Sequence, residues 1–370
     1  MLKPVILDNL SEIKRIDKSD MLSFCVGAPK HYGDASRLAK NLQIDYHKPE
    51  TIIVAGMGGS AIGGELLKDW ARDKADVPIE VCRDYSLPAY AGRNALVFVV
   101  SYSGETEEAL SVFQQALKRK CMIVTISSGG KLQEFSKKLS LPHVQVPLGM
   151  APRATLPYLF LPLPFALKRL GLVSNVDSEV NEAVRVLKLV SDENMPGKPL
   201  SGNFSKTLAS ALDGTVPVIY GFGFYRAVAQ RLKTQFNENS KVPAKWEFFP
   251  ELNHNEIVGW ENAKKLGEYF SLVFIRDSDE PEEIQRRIEI TKKLVHDEGL
   301  RAYEIWGRGR SVLARMCSVI CIGDFTSVYL GILRAVDPTP VRTIDVLKRE
   351  LAKSGFKNKV IRELETLVKK

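Results

Sequence analysis

The stretch TIIVAGMGGSAIGGELLKDW, residues 51–70, decides the fold. Its opening, Ile52-Ile53-Val54-Ala55, is a run of β-branched and small apolar residues and predicts a buried strand. Gly56-Met57-Gly58-Gly59-Ser60 predicts a tight turn, and from Ala61 to Trp70 the apolar residues recur at helical spacing. A strand, a glycine turn and a helix in that order make an anion cradle. Glycine lets the backbone approach the ligand, and the helix N-terminus presents free N–H groups and a partial positive charge. These residues alone leave the ligand open. Gly56-x-Gly58-x-x-Ala61 also fits a dinucleotide fingerprint, with Glu80 in the next strand near the place of a ribose-binding acid. Without a ligand, the same pattern is a helix packed tightly on a strand.

The loop after the third strand separates these readings. Ala95 to Val100, ALVFVV, predicts a strand buried on both faces, and it runs directly into Ser101-Tyr102-Ser103-Gly104-Glu105-Thr106. Ser101, Ser103 and Thr106 put three hydroxyls at a strand-to-helix junction, which suits a phosphate monoester. A dinucleotide fold has no particular need of them. In a doubly wound sheet this loop lies at the C-terminal edge of the strands, on the side of the first glycine turn. A plainer role is compatible with the first: Ser103 or Thr106 caps the next helix, and Glu105 to Glu108 complement its dipole.

Outward from these loops, residues 1–48 read as an N-terminal helical segment. Strands expected at 77–82, 95–100, 122–126 and 143–146 complete a first domain over 49–165. Residues 155–172 are apolar with Pro157, Pro162 and Pro164, a kinked helix or a packed connection. Helical periodicity over 178–191 and a turn-rich run, Asp192 to Pro199, make 166–200 a helical linker. Over 201–370 the organisation repeats weakly. A strand is expected at 216–220, a turn at Gly221-Phe222-Gly223 and a helix at 225–237. Strands follow at 246–249, 272–276 and 302–306, with a helix over 282–296. The expected fold is α/β, two doubly wound domains with parallel sheets flanked by helices.

Composition narrows the function classes. The chain has 370 residues, 45% hydrophobic and 26% charged, enough for two domains with cores of their own. A net charge of +8 suits an anionic ligand, but the basic residues are scattered with no aromatic ladder, so nucleic acid is not expected as a partner. No apolar run reads as long enough to cross a bilayer, and the first twenty residues lack a signal-peptide core; no membrane partner and a cytoplasmic location are expected. The five cysteines form no CxxC pair, and no HExxH or Cys/His grouping occurs, so no metal or cofactor is expected.

GMGGSAIGGELL followed by SYSGETEEAL resembles the SIS, or sugar isomerase, domain. Further blocks follow in order: Ala151-Pro152-Arg153-Ala154, NENSKVPA at 237–244, ELNHNEIVGW at 251–260 and the Lys348 region. Together they make the chain from about residue 50 onward similar to the bifunctional phosphoglucose/phosphomannose isomerase family. The resemblance implies a metal-independent aldose–ketose isomerase. Its substrates would be glucose 6-phosphate, and mannose 6-phosphate, interconverted with fructose 6-phosphate through a cis-enediol. Phosphate is expected on Gly58, Gly59, Ser60, Ser101, Ser103 and Thr106. The family pattern puts the catalytic base at Glu238, the cation over the enediolate at Arg153, and ring opening at His254 with Lys348. It also implies a homodimer in which His254 reaches the neighbouring subunit's active site.

Read without the family, these residues are less distinctive. Glu238 is a helix-end glutamate, with Glu247, Glu251 and Glu256 as competitors for the base. His254 is the one histidine of five set in a polar, turn-like run, and histidine is the residue type suited to proton transfer near neutrality. His31, His47, His143 and His296 read as structural. Arg349 and Lys353 compete with Lys348. Three other functions fit parts of the pattern: a sugar-phosphate sensor without turnover, a nicotinamide-dependent oxidoreductase, and an isomerase of another sugar phosphate such as an amino sugar.

Overall fold

The structure is a computed structural model that describes residues 3–261 and 263–369. The chain opens with α1 (Leu10–Ile16), α2 (Met21–Val26) and α3 (Ala28–Lys40). The first sheet domain follows as β1 (Thr51–Ala55), α4 (Gly59–Ala71), β2 (Ile79–Cys82), β3 (Ala95–Val100), α5 (Glu107–Lys118), β4 (Met122–Ser127), α6 (Gly130–Lys138) and β5 (His143–Gln145). Four helices come next: α7 (Leu156–Phe160), α8 (Pro162–Arg169), α9 (Val176–Asn194) and α10 (Phe204–Leu212). The second sheet is built from β6 (Val216–Phe222), α11 (Arg226–Gln235), β7 (Lys245–Phe249), β8 (Phe270–Arg276), α12 (Glu282–Asp297) and β9 (Arg301–Trp306). The chain ends with α13 (Val312–Leu333), α14 (Arg342–Ala352) and α15 (Phe356–Val368).

Both sheets are wholly parallel and wound in the same order. The first runs β2-β1-β3-β4-β5 and the second β7-β6-β8-β9. Parallel strands need helical crossovers, which cover both faces and bury the central strands completely. All six residues of β3 and all six of β4 are buried accordingly. The prolines at 157, 162 and 164 each fall in the first turn of α7 or α8, where a missing N–H costs no helical bond, so the stretch expected as a kinked helix or a packed connection is two short helices.

The contacts divide the chain differently from the four segments expected. One compact unit, carrying the first sheet, is His31–Ser178 with Val341–Lys370; the other, carrying the second sheet, is Met1–Lys30 with Glu179–Pro340. The N-terminal segment therefore breaks inside α3, the linker inside α9, and the last thirty residues leave the second sheet for the first. Amphipathic packing explains that last difference. Val360 and Leu364 of α15 are buried in the cluster of Leu110, Val112, Phe113 and Ala116 on α5, and Glu363 holds Gln114 (2.9 Å) and Lys118 (3.1 Å). Sequence order placed α15 beside its neighbour in the chain; its apolar stripe fits the other unit's core.

A second correction concerns α13. Among the described residues it is a helix long and apolar enough to cross a membrane, against the expectation that no such run occurs, but nearly all of it is buried inside the second-sheet unit. A helix apolar all round is a core helix when its surroundings cover it. Cys317 and Cys321 lie on it as buried thiols.

Two stability measurements follow. Leu364 is fully buried, so Leu364→Ala is expected to cost about 2–5 kcal/mol in denaturant unfolding. On edge strand β5, His143 bonds Thr125 Oγ1 through Nδ1 (2.8 Å), and burial pulls its pKa from 6.5 to about 4. The folded value lies below the unfolded one, so the unfolded chain binds more protons in that window. The contribution is complete above pH 6.5 and lost as pH falls towards 4. His143→Asn, which keeps an acceptor for Thr125, should flatten the decline in melting temperature across that range.

Candidate active site

The glycine turn after β1 has the geometry a cradle requires. Gly58 caps α4 at φ +51°, a backbone that favours glycine, and a Cβ there would meet nothing within 4 Å. At Gly56 a Cβ would lie 2.8 Å from the Val100 carbonyl oxygen, so turn and third strand approach backbone to backbone. Ser60 is 8% exposed, and its Oγ accepts the Tyr102 N–H at 3.2 Å, tying this turn to the loop after β3. Arg153 stands against the same turn. A Cβ on Gly59 would be 3.2 Å from the Pro152 oxygen and 3.5 Å from Arg153 Cα, and the arginine itself is 3% exposed.

The loop after β3 folds around its own hydroxyls. Ser101 Oγ accepts the Gly104 N–H at 3.1 Å and lies 2.9 Å from Thr106 Oγ1, while Ser103 Oγ accepts the Glu105 N–H at 3.2 Å. Thr106 occupies the N-cap position of α5, yet its side chain makes no capping bond; its hydroxyl turns to Ser101 instead. Ser103 is exposed. The structure thus brings Gly58, Gly59, Ser60, Ser101, Ser103, Thr106 and Arg153 together along the C-terminal edge of the first sheet. Backbone N–H groups and hydroxyls at that edge suit a phosphate monoester.

Sequence reasoning passed over a third loop. Ser127-Ser128-Gly129-Gly130 joins β4 to α6 and carries the same strand, Gly/Ser turn and helix pattern, which was the signal available for it. Ser128 Oγ donates to the Tyr102 carbonyl at 2.6 Å, and the Leu132 N–H donates to the Gly104 carbonyl at 3.0 Å. A Cβ on Gly104 would lie 1.9 Å from the Gly129 oxygen, and one on Gly130 (φ +69°) 2.5 Å from the Ser103 oxygen. Glu105 adds a brace. Its carboxylate accepts the Lys131 N–H at 2.8 Å and pairs with Lys357 on α15.

The remaining predicted residues lie on other elements. Glu238 is half-buried in a π turn, Phe236–Ser240, that continues α11. Its neighbours anchor that turn on α13: Asn239 Nδ2 donates to Ser327 Oγ (2.9 Å) and Ser240 Oγ to the Ser327 carbonyl (2.6 Å). Lys241, at φ +53°, donates to the Glu238 and Pro338 carbonyls. His254 ends a 3-10 turn after β7 and is exposed, while Leu252 beneath it is fully buried and Asn253 bonds Thr291 (2.9 Å). Glu238 precedes β7 and His254 follows it, so they sit at opposite edges of the second sheet. The five-residue strand between them in the chain is about 17 Å long. Lys348 is exposed on α14, a helix that buries none of its residues.

The competitors are engaged otherwise. Glu256 accepts from Tyr220 OH (3.1 Å) and pairs with Lys245; Glu251 accepts from Asn255 (2.8 Å); Lys353 pairs with Glu350. Burial raises the pKa of Glu247, with Glu256 nearby adding to it. Glu80 lies two residues short of the end of β2 and bonds the Tyr90 phenol, away from the strand terminus where a ribose-binding acid belongs. Among the described residues, no three His, Cys, Asp or Glu side chains are grouped as a metal would need.

Comparison with known proteins adds to this geometry. Residues 202–351 match the model of the bacterial phospho-glucose isomerase C-terminal SIS domain. The chain is 41% identical to a bifunctional phosphoglucose/phosphomannose isomerase of Caldicellulosiruptor bescii, over 88% of this chain and 96% of that one. To the protein of the same name from Aquifex aeolicus it is 36% identical, over 82% and 90%. Among solved structures it superposes on hypothetical protein TT0462 of Thermus thermophilus at TM-score 0.72 and 15% identity, covering 93% of this chain and 94% of that one.

The glycine contacts yield a test of the third loop. Gly130→Ala puts a methyl into the Ser103 carbonyl, and is expected to weaken inorganic phosphate binding about tenfold or more. Isothermal titration beside a circular dichroism check on folding reads this directly. Unchanged phosphate affinity in a folded variant would exclude the loop from the site.

Proposed function

Because the chain belongs to the bifunctional phosphoglucose/phosphomannose isomerase family, we propose that it interconverts glucose 6-phosphate, and mannose 6-phosphate, with fructose 6-phosphate. The observation that carries this reading is the hydroxyl-lined phosphate edge of the first sheet, with Arg153 buried against it. A sugar held there by its 6-phosphate has C1 and C2 a fixed distance away, which is what positioning requires.

The chemistry is proton transfer. His254 and Lys348 open the ring by shuttling a proton between the ring oxygen and the C1 hydroxyl. Glu238 takes the proton from C2, leaving a cis-enediolate, and returns it to C1; the C1 oxygen gains the proton that the C2 oxygen gives up. Arg153 stabilises the enediolate's charge, an interaction stronger in the transition state than with the neutral sugar. Rotation about C2–C3 in the enediol lets one base serve both C2 epimers. We propose that no metal takes part. Glu238 and His254 lie in turns that precede and follow β7. We propose that a site using both draws them from two chains, a homodimer with His254 donated across the interface.

Two experiments test this. In a coupled assay with EDTA, wild type is expected to turn over both aldose phosphates, and Glu238→Gln to lose about 10²–10⁴-fold in kcat. Activity that survives the substitution would move the base elsewhere, and phosphate binding without turnover would make the protein a sensor. Next, Glu238→Gln and His254→Ala chains, each inactive alone, are unfolded together and reassembled. If His254 acts in trans, mixed dimers carry one intact site and about a quarter of wild-type activity returns. No recovery would place both residues in one chain's site.

A further inference from the structure

The second sheet repeats the first residue by residue. Ala55 faces Val99 as Tyr220 faces Phe274, and Val99 faces Thr125 as Phe274 faces Glu304. Counting from these pairs, Gly56 and Gly58 match Gly221 and Gly223, Ser60 matches Tyr225, Tyr102 matches Asp277, and Ser128 matches Gly307. The glycine environments bear the alignment out. Gly58 and Gly223 take φ +51° and +48°, and a Cβ on either would meet nothing within 4 Å. A Cβ on Gly56 would press on the Ser60 carbonyl, and one on Gly221 on the Tyr225 carbonyl, at 3.2 and 2.4 Å.

The three matched positions also meet in both units, with opposite chemistry. In the first, the Tyr102 N–H reaches Ser60 Oγ and Ser128 Oγ reaches the Tyr102 carbonyl. In the second, the Tyr225 phenol donates to Asp277 Oδ2 at 2.6 Å, and a Cβ on Gly307 would lie 1.8 Å from that phenol oxygen and 3.4 Å from Asp277 Oδ2. Asp277 Oδ1 accepts from Arg315 Nη1 and from the Asp279 N–H, each at 2.9 Å. Asp277 is 2% exposed and Tyr225 is not exposed at all. A buried carboxylate with phenol, guanidinium and backbone donors converging on it, at the matching edge of the sheet, is an anion in an anion's place.

We propose that the second sheet keeps an anion cradle built like the first, and that the Asp277 carboxylate is its permanent occupant, so each chain takes one phosphate group instead of two. The inference rests on reading the first sheet's loops as the phosphate site. Removing the carboxylate takes the acceptor from Tyr225 OH, Arg315 Nη1 and the Asp279 N–H, while Arg315 Nη2 stays paired with Asp279 and Nε with the Gly309 carbonyl, which hold the guanidinium in place. Occupancy by Asp277 confines sugar-phosphate binding to the unit that carries the hydroxyls.

Titration of inorganic phosphate into the full-length protein tests it. Wild type is expected to bind one phosphate per chain and Asp277→Gly two, with the added site lost when Arg315→Ala is combined with it. Asp277→Asn, whose amide still fills the space, is expected to stay at one. If Asp277→Gly fails to fold alone, phosphate should restore its circular dichroism and melting transition. A folded Asp277→Gly that gains no site overturns the inference, as does an unfolded one that phosphate does not rescue. A wild type that binds no phosphate sinks the reading of the first loops separately, and a site gained by Asp277→Gly would still support the second cradle.

Discussion

The Gly129 carbonyl oxygen lies where any side chain on Gly104 would have to go, and the Ser103 carbonyl does the same to Gly130. This contact of bare backbones is the constraint on which the first sheet's binding edge depends. Two loops that follow different strands lock without an intervening side chain, so the Ser101, Ser103 and Thr106 hydroxyls are held by main-chain geometry. Ser60 extends the lock to the first turn through the Tyr102 N–H, and Ser128 closes it through the Tyr102 carbonyl. A single methyl at either glycine forces the loops apart, which is why glycine stands there.

The two sheets share strand order, register and glycine turns, yet they treat charge in opposite ways. The first edge carries backbone donors and hydroxyls. The second carries a buried carboxylate, Asp277, with Tyr225 and Arg315 as partners. Close by, the buried Arg276 is surrounded by Glu280, Glu289 and Glu304. Buried ion pairs of this kind hold a geometry more than they add stability, and breaking one side leaves an uncompensated charge. Glu238 and His254 lie in turns before and after β7 of the second sheet.

Much of this was legible in the sequence because the signals are local. A buried β-branched run, a glycine turn and a helical repeat each act over ten residues or fewer, and the loops after β1 and β3 were placed by them. The Thr106 hydroxyl was not: capping α5 and bonding Ser101 are equally compatible with its position in the chain. The Ser-Ser-Gly-Gly loop carried the same local signal and was missed because its part, pressing against Gly104, depends on a neighbouring strand. The four-segment division misassigned α15, since an amphipathic stripe says that a helix packs and not against what. The apolar run of α13 reads as a core helix only once its surroundings are known.

By itself, the sequence determined the parallel α/β class, the two glycine-and-hydroxyl loops and, through several separated blocks, the family. Each of these is written in short-range pattern and residue type. Tertiary structure alone decided that residues 341–370 belong with the first sheet, that Glu238 and His254 lie in separate turns on either side of β7, and that Asp277 is buried against Tyr225 and Arg315. Those are long-range facts. They follow from which apolar faces bury one another and from where parallel strands bring distant loops side by side, and neither is encoded in any one stretch of the chain.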